Sequence, residues 1–183
     1  LDLLAKEVSA LVERKQSPEQ TVKTLTRFLF FEKGFEGNKI DFLDPDNTYF
    51  SRVLDKKKGL PITLSALCIF LGQRIGLPIV GVGLPGRYIA KYESLTQPIY
   101  FDPFEKGRIL SREDCARLVG KMGYHFEEHY LGAATSRETL TRMMNNLIMT
   151  YNKNSEPEKA KHLSDFIKAL SGNLEQNSSV RPY

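Results

Sequence analysis

The sequence has few of the features that mark secreted, disulfide-rich or membrane-spanning proteins. Only two of its 183 residues are cysteine, Cys68 and Cys115, too few and too unpatterned for a disulfide framework. No apolar run approaches the roughly 20 residues that a membrane-spanning helix needs. No charged-then-apolar leader opens the chain, although Leu1 is not a natural start and we expect a missing upstream segment. These absences favour a cytoplasmic protein without a membrane partner.

The charge distribution also lacks a strong bias. The formal net charge is +4, and basic residues are mixed with acidic ones along most of the chain. Lys56–Lys58 is the only basic run, and no nucleic-acid motif or aromatic interleaving accompanies it. This pattern is typical of an ordinary solvated surface, so a nucleic-acid partner is not expected.

What the sequence does have is an apolar segment, 58–78, reading KGLPITLSALCIFLGQRIGLP. Its apolar residues recur at helical spacing: Leu60, Leu64, Leu67, Cys68, Leu71 and Ile75. Pro61 fits the first turn of a helix, and Gly76 followed by Pro78 fits its end. So apolar a helix predicts a central position in the fold.

The flanking sequence predicts helices before this segment and short strands after it. Helices are expected over 2–14, over 17–32 after a Ser17 cap, and from an Asn47 cap to a stop at Gly59. Apolar runs at 79–82, 87–92 and 98–101 predict an antiparallel meander. The predicted class is therefore α+β, with the central helix packed on a small antiparallel sheet.

Three more helices are predicted towards the C-terminus, opening at Ser111, Thr135 and Ser155. Thr135 and Glu138 form a capping-box pattern, and Gly172 fits the end of the last helix. We predict a main domain over 1–134, a tetratricopeptide-like helical hairpin over 135–172 and a disordered tail over 173–183.

Two kinds of residue could carry chemistry by themselves. His125 to His129 fit the H-x-x-E-H pattern of a zinc site, with Glu128 as base, but no third ligand is evident and we favour the interpretation as surface histidines. Cys115 lies in the first turn of its helix, beside acidic residues that oppose thiolate formation, and Cys68 lies on the apolar stripe. No metal or cofactor is expected.

Four ordered segments resemble the bacterial SirB family, whose main domain is a second-type transglutaminase-like core of the papain-like superfamily. They read DPDNTYFSRVLDKKKGLPITLSAL (44–67), RIGLPIVGVGLPGRYIAKY (74–92), YFDPFEKGRILSREDC (100–115) and SRETLTRMMNNLIMTYNK (136–153). The resemblance implies a papain-like α+β core with flanking helices and a tetratricopeptide-like tail.

The resemblance also implies where a catalytic triad would lie. Active relatives place cysteine at the N-terminus of the central helix, histidine on the next strand and aspartate on the strand after it. Here Pro61 or Ile62 falls at the cysteine position and Arg87 at the histidine position, while Asp102 matches the aspartate. Thr63 and Ser65 lie in the first turns of the helix, but arginine stays protonated and cannot serve as their base.

We therefore interpret Pro61, Ile62, Thr63, Arg87 and Asp102 as a remnant site. Arg87 is expected to form a bidentate ion pair with Asp102, or to meet an anionic ligand; an ion pair that only braces the sheet is equally consistent. Candidate ligand-binding residues are Lys58, Thr63, Ser65, Arg87 and Asp102.

Two functions remain open. The first is a non-catalytic binding or scaffolding module that contacts another protein through its helical regions. The second is a hydrolase or acyl-transfer enzyme of unrecognised mechanism, dependent on Cys68, Cys115 or the His125 and His129 pair.

Overall fold

The computed structural model describes residues 1–13 and 15–177, with side chains through residue 170. The helices are α1 Asp2–Ser9, α2 Pro18–Arg27, α3 Phe50–Lys56, α4 Pro61–Ile75, α5 Arg112–Lys121, α6 Ser136–Lys153 and α7 Pro157–Asn177. The strands are β1 Glu36–Gly37, β2 Lys58–Gly59, β3 Ile79–Leu84, β4 Arg87–Tyr92, β5 Ile99–Asp102 and β6 Arg108–Leu110. The predicted α+β class is confirmed.

The central helix α4 forms as its sequence predicts. Pro61 occupies its first turn, and Gly76 ends it with a left-handed φ of 73° that favours glycine. Apolar residues of α4 are buried together with residues of α1, α2, β3, β4 and β5 in the largest core cluster, among them Leu64, Leu67 and Leu71. The helix is therefore central to the packing.

The first two helices differ from the prediction at their ends. Helix α1 ends at Ser9 rather than at Arg14, and Arg14 lies outside the described residues. Helix α2 begins after Ser17, whose hydroxyl accepts a hydrogen bond from the backbone N–H of Gln20. Its last turn, Phe28–Glu32, is π-helical, and it buries the consecutive residues 28–30.

Asn47 is not a helix cap, which corrects the prediction. Its side chain is buried and donates to the carbonyl of Asp41 at 2.6 Å, while its oxygen accepts from Asn38 at 3.0 Å. Helix α3 begins at Phe50 and ends where Lys57 takes a left-handed φ of 56°. Gly59, the predicted stop, instead belongs to β2, which pairs in parallel with β1. Tertiary contacts thus outweigh the local capping signal.

The main sheet is an antiparallel meander in the order β3-β4-β5-β6. Ala90 pairs with Phe101, and both belong to the core around α4. Ile89, on the opposite face, belongs to a second core with Cys115 and Val119 of α5. The sheet is therefore covered on both faces. Strand β6 was not predicted, because its three residues are too short for a recognisable pattern.

The C-terminal helices begin close to their predicted caps. Ser111 with Asp114 and Thr135 with Glu138 both form reciprocal capping boxes. Helix α7 continues past the predicted end at Gly172 to Asn177, so the predicted tail is helical over 173–177, and 178–183 lie outside the described residues. The domain division and the tetratricopeptide-like character of α6 and α7 stay predictions. Within the described part of the chain, no helix is long and apolar enough to cross a membrane.

Candidate functional site

Arg87 and Asp102 form an ion pair at one end of the sheet. Arg87 begins β4 and Asp102 ends β5, and because these neighbouring strands are antiparallel, the two residues lie at the same end. The Nε and Nη2 atoms of Arg87 donate to Oδ2 of Asp102 at 2.9 and 2.6 Å. The predicted contact is present.

The pair is not bidentate, which corrects the expected geometry. The second carboxylate oxygen, Oδ1 of Asp102, accepts from the backbone N–H groups of Phe104 at 3.0 Å and Glu105 at 3.4 Å. Asp102 thereby caps the 3₁₀ turn Pro103–Glu105. One carboxylate oxygen holds the turn and the other holds the arginine, so Asp102 fixes both elements.

The surroundings of the pair restrict Arg87 further. The side chain of Asp102 is 2% exposed and that of Arg87 is 20% exposed. The guanidinium lies over the Phe104 ring, 4.8 Å from its centroid, and its Nη2 lies 3.4 Å from Glu105 Oε1. Glu105 also binds Lys39 at 2.7 Å. Arg87 is thus engaged by a ring and two carboxylates.

The pKa values of the two carboxyl groups move in opposite directions. Burial raises the pKa of Asp102 above its ordinary value, although the charge and hydrogen bonds of Arg87 and two backbone N–H groups oppose this. For Glu105, slight burial raises the pKa, but the hydrogen bond and charge of Lys39, with the charge of Arg87, lower it overall. Of the two carboxyl groups, Asp102 is the one whose charged form burial disfavours overall, and the Arg87 cation offsets part of that effect.

The N-terminus of α4 presents no nucleophile to solvent. Pro61 is buried, and Ile62 packs with Leu60 and Tyr88. The Thr63 hydroxyl is fully buried, donating to the carbonyl of Asn47 at 2.8 Å and accepting from the backbone N–H of Leu60 at 2.9 Å. These contacts use the Thr63 hydroxyl to hold the start of the helix.

The other ligand-binding candidates have different environments. Ser65 is fully buried, and its hydroxyl has no hydrogen-bond partner among the described residues. Lys58 is exposed, with its ammonium 3.6 Å from Glu36. The structure therefore brings only Arg87 and Asp102 of the candidate set into direct contact, and a ligand role for Lys58 stays a prediction.

Phe104 packs against the strand pair that precedes the central helix. Its ring lies so close to Gly37 of β1 that a Cβ on that glycine would approach the ring to 2.6 Å. Strand β1 pairs with β2, which leads directly into α4. A two-residue parallel pair has too little pattern to be recognised from sequence, so this packing was missed.

The two thiols are buried. Burial raises the pKa of Cys68 far above its usual range. Burial, followed by the charges of Asp114, Asp102 and Glu113, raises the pKa of Cys115 to about 11. Since the thiolate is the nucleophile, the raised pKa values favour the less nucleophilic thiol form of both cysteines at neutral pH.

The histidine pattern does not form the helix that a zinc site of this type needs. Residues Glu128–Leu131 form a 3₁₀ turn, and His129 Nδ1 lies 3.1 Å from Glu127. Among the described residues, no group of three or more histidine, cysteine, aspartate or glutamate side chains could hold a metal.

Two cavities border helix α6, and sequence reasoning identified neither. One, of about 570 Å³, is lined by residues of α6, the strand ends Gly83 and Tyr88, and segment 129–134. The other, of about 490 Å³, lies between α4, β3 and α6 and is mostly apolar, with lining residues that include Ile69, Phe70, Leu140 and Met143. Their walls come from segments distant in sequence.

A family model described as the transglutaminase-like superfamily matches residues 1–145. The chain belongs to this superfamily. The central helix, meander and preceding helices described above all lie within the matched region. The transglutaminase-like core predicted from the four motifs is thereby confirmed.

Relatives of this transglutaminase-like chain occur in bacteria and animals. It is 29% identical over 152 residues to a UPF0162 protein of Xylella fastidiosa, covering 80% of this chain and 54% of that protein. It is 30% identical over 122 residues to a UPF0162 protein of Vibrio cholerae, which covers 66% of this chain and 45% of that protein. It is 26% identical over 148 residues to human F-box only protein 21, which covers 76% of this chain and 23% of that protein.

The chain spans about half the length of the bacterial relatives it matches. No solved structure matches it significantly.

Proposed function

We propose that this transglutaminase-like chain is a non-catalytic binding module that contacts another protein. The observation that supports the proposal most strongly is the engagement of Arg87 with Asp102, at the strand position where active relatives carry histidine. Arginine stays protonated at working pH and cannot accept a proton from a nucleophile. Because its guanidinium is already bound to a buried carboxylate, Arg87 is even less able to act as a base.

The environment of potential nucleophiles supports the same proposal. Pro61 and Ile62 carry no nucleophilic atom, and Thr63 is bonded on both sides. With the pKa of Cys115 at about 11, only about one thiol in ten thousand would be ionised at pH 7. Neither hydroxyl nor thiol chemistry therefore has an activated group at this site.

The apolar cavity between α4, β3 and α6 supports a protein partner. Phe70 and Leu140 on its walls are 37% and 45% exposed, and neighbouring exposed apolar side chains of this kind can mark a surface that another protein covers. Helices α6 and α7 pack together through Leu147, Tyr151 and Ala160. We propose that the partner contacts this helical side of the molecule.

The finer family assignment also belongs to this proposal. The four ordered motifs favour the SirB family, and the pairing of α6 with α7 favours a tetratricopeptide-like hairpin. A single hairpin lacks the repetition that identifies such repeats. The tetratricopeptide-like assignment is therefore supported only by the packing of α6 against α7.

Turnover assays test the absence of catalysis. Purified protein is incubated with peptide amides, and separately with glutamine peptides and a primary amine, and product is followed by mass spectrometry. We expect no turnover above a buffer control. Turnover that disappears in Cys68→Ala or Cys115→Ala would refute the proposal and favour a thiol enzyme.

Site-specific photo-crosslinking tests the protein partner. A benzophenone amino acid is placed at Leu140, beside the apolar cavity, and in a matched variant at Phe31, which is 65% exposed on the π-helical turn. We expect one recurrent crosslinked protein from Leu140 and none from Phe31. Identical crosslinking from both positions, or none from Leu140, would contradict the proposed surface.

A further inference from the structure

Arg142 of α6 enters the larger cavity as a partly buried cation. Its Nη2 donates to the carbonyl of Leu84 at 2.8 Å, and its guanidinium lies 5.6 Å from the centroid of the Tyr88 ring. The Nη1 atom approaches Gly83, where a Cβ would lie 3.3 Å from it. The arginine is thus held in position by the end of β3 and the start of β4.

Among the described residues, Arg142 has no carboxylate within ion-pair distance. Its partners are a neutral carbonyl and an aromatic ring, although buried charges in proteins are normally paired with an opposite charge. Burial lowers the pKa of Arg142 from its ordinary value, and the Tyr88 phenol offsets only part of this. The guanidinium of Arg142 therefore lies in the cavity without an ion-pair partner among the described residues.

The other charged groups of the cavity form no ion pair with Arg142. Glu138 lines the cavity, but its Oε2 accepts from the backbone N–H and the hydroxyl of Thr135, at 2.7 and 2.8 Å. Arg137 is an exposed lining residue and donates to the Leu170 carbonyl. Asn145 is exposed on the cavity wall and can donate a hydrogen bond. Two arginines and one glutamate line the cavity, so its lining carries an excess of one positive charge.

We propose that this cavity binds an organic carboxylate, carried by a small molecule or by the C-terminus of a peptide, with Arg142 as its counter-ion. A single interior guanidinium matches a single negative charge, and its fork suits a carboxylate. The volume of about 570 Å³ lies in the range of small-ligand sites. Tyr88 and Tyr130 line the same space and suit an apolar group beside the carboxylate.

This inference goes beyond the proposed function, because a carboxylate can bind at Arg142 whether or not the site at Arg87 is inert. The two sites nevertheless use different side chains. The cavity is lined by α6, segment 129–134, Gly83 and Tyr88, whereas Arg87, which precedes Tyr88 on β4, contacts Asp102 and the turn after β5. Failure of one proposal therefore leaves the other intact.

Isothermal titration calorimetry tests the site with matched probes. N-acetylphenylalanine is compared with its amide, and a six-residue peptide with a free C-terminus is compared with its amidated form; inorganic phosphate is a further arm. We expect at least one carboxylate to bind at least tenfold more tightly than its amide. The stronger carboxylate identifies the source. The proposal would be overturned if, in both pairs, the carboxylate and its amide had the same affinity. It would also be overturned if phosphate bound more tightly than either carboxylate.

Variants assign the binding to Arg142. Arg142→Met should weaken the carboxylate at least tenfold, and Arg142→Lys should weaken it less, because the charge is retained. Arg117→Met, altering an arginine 71% exposed on α5, should leave binding unchanged. Asn145→Asp covers the case in which Arg142→Met does not fold, since it places a negative charge on an exposed wall position; it should weaken the carboxylate severalfold. Wild-type affinity in Arg142→Met or in Asn145→Asp would overturn the proposal.

Discussion

The ion pair between Arg87 and Asp102 gives the sharpest test of how this end of the sheet is held together. Arg87→Met removes the cation but keeps a long apolar side chain over the Phe104 ring. The Asp102 carboxylate, 2% exposed, then keeps only its two backbone N–H donors. Removing one partner of a buried pair costs about 3–5 kcal/mol. We expect about 3 kcal/mol, because those two donors still stabilise the carboxylate.

A double-mutant cycle separates the pair from its surroundings. Asp102→Asn keeps an oxygen to cap the 3₁₀ turn, but turns an N–H donor towards Arg87. In Arg87→Met/Asp102→Asn neither charge remains, so the double variant should be more stable than the sum of the single changes predicts, with a coupling energy of about 2 kcal/mol. Urea unfolding followed by far-ultraviolet circular dichroism measures each free energy of unfolding, since the chain has no tryptophan.

The pH dependence provides a second readout of the same pair. Because burial raises the folded-state pKa of Asp102 above its unfolded value, the stability linked to this carboxyl is fully present below the unfolded pKa and is lost as pH rises through the folded pKa. Loss of Arg87 raises the folded pKa further. The deficit of Arg87→Met should therefore be largest at neutral pH and should shrink as acid protonates Asp102.

The control for this experiment is Arg27→Met, because the Arg27 side chain is 78% exposed and pairs with Glu32 at 3.3 Å. It should change the free energy of unfolding by about 0–1 kcal/mol. The reasoning would be refuted if Arg87→Met matched this control at neutral pH, or if the coupling energy were zero.

Three further predictions concern the core and the thiols. Leu67→Ala should lower the free energy of unfolding by about 2–5 kcal/mol in urea titrations, because Leu67 is fully buried in the main core; a change below about 1 kcal/mol would contradict that packing. Gly81→Ala should lower the thermal midpoint, because its Cβ would lie 2.0 Å from the Tyr88 hydroxyl, and an unchanged midpoint would contradict this close approach. Cys68 and Cys115 should resist iodoacetamide at pH 7 and react in urea; rapid alkylation of folded protein would show that a thiol is accessible and ionised.

The local sequence determined those features that depend on residues three or four positions apart. The stripe of Leu64, Leu67 and Leu71 predicted the central helix, and its ends followed from Pro61 and Gly76. The Thr135 capping box could also be recognised from the sequence, because its two partners lie within one helical turn. Short β-branched or aromatic runs divided by glycine and proline turns then predicted the first three strands of the meander.

Tertiary structure overruled local signals where a side chain had a distant partner. Asn47 has the chemistry of a helix cap, yet its amide holds the loop at Asp41 and Asn38, because those contacts satisfy a buried polar group. The short pairing of β1 with β2 and the three residues of β6 carry no periodic pattern. Only their hydrogen-bond partners define them.

At the candidate site, too, some features were predictable from the sequence and others depended on tertiary structure. Sequence, through a family resemblance, identified Arg87 and Asp102 as neighbours, because antiparallel pairing of two predicted strands brings their ends together. It did not show that one oxygen of Asp102 caps a turn, since the competing donors are backbone groups. Nor did it identify Arg142, which reads as an ordinary surface arginine on a helix. It is partly buried, with no counter-ion in the part of the chain that the structure describes, because the strand end at Leu84 folds back against α6.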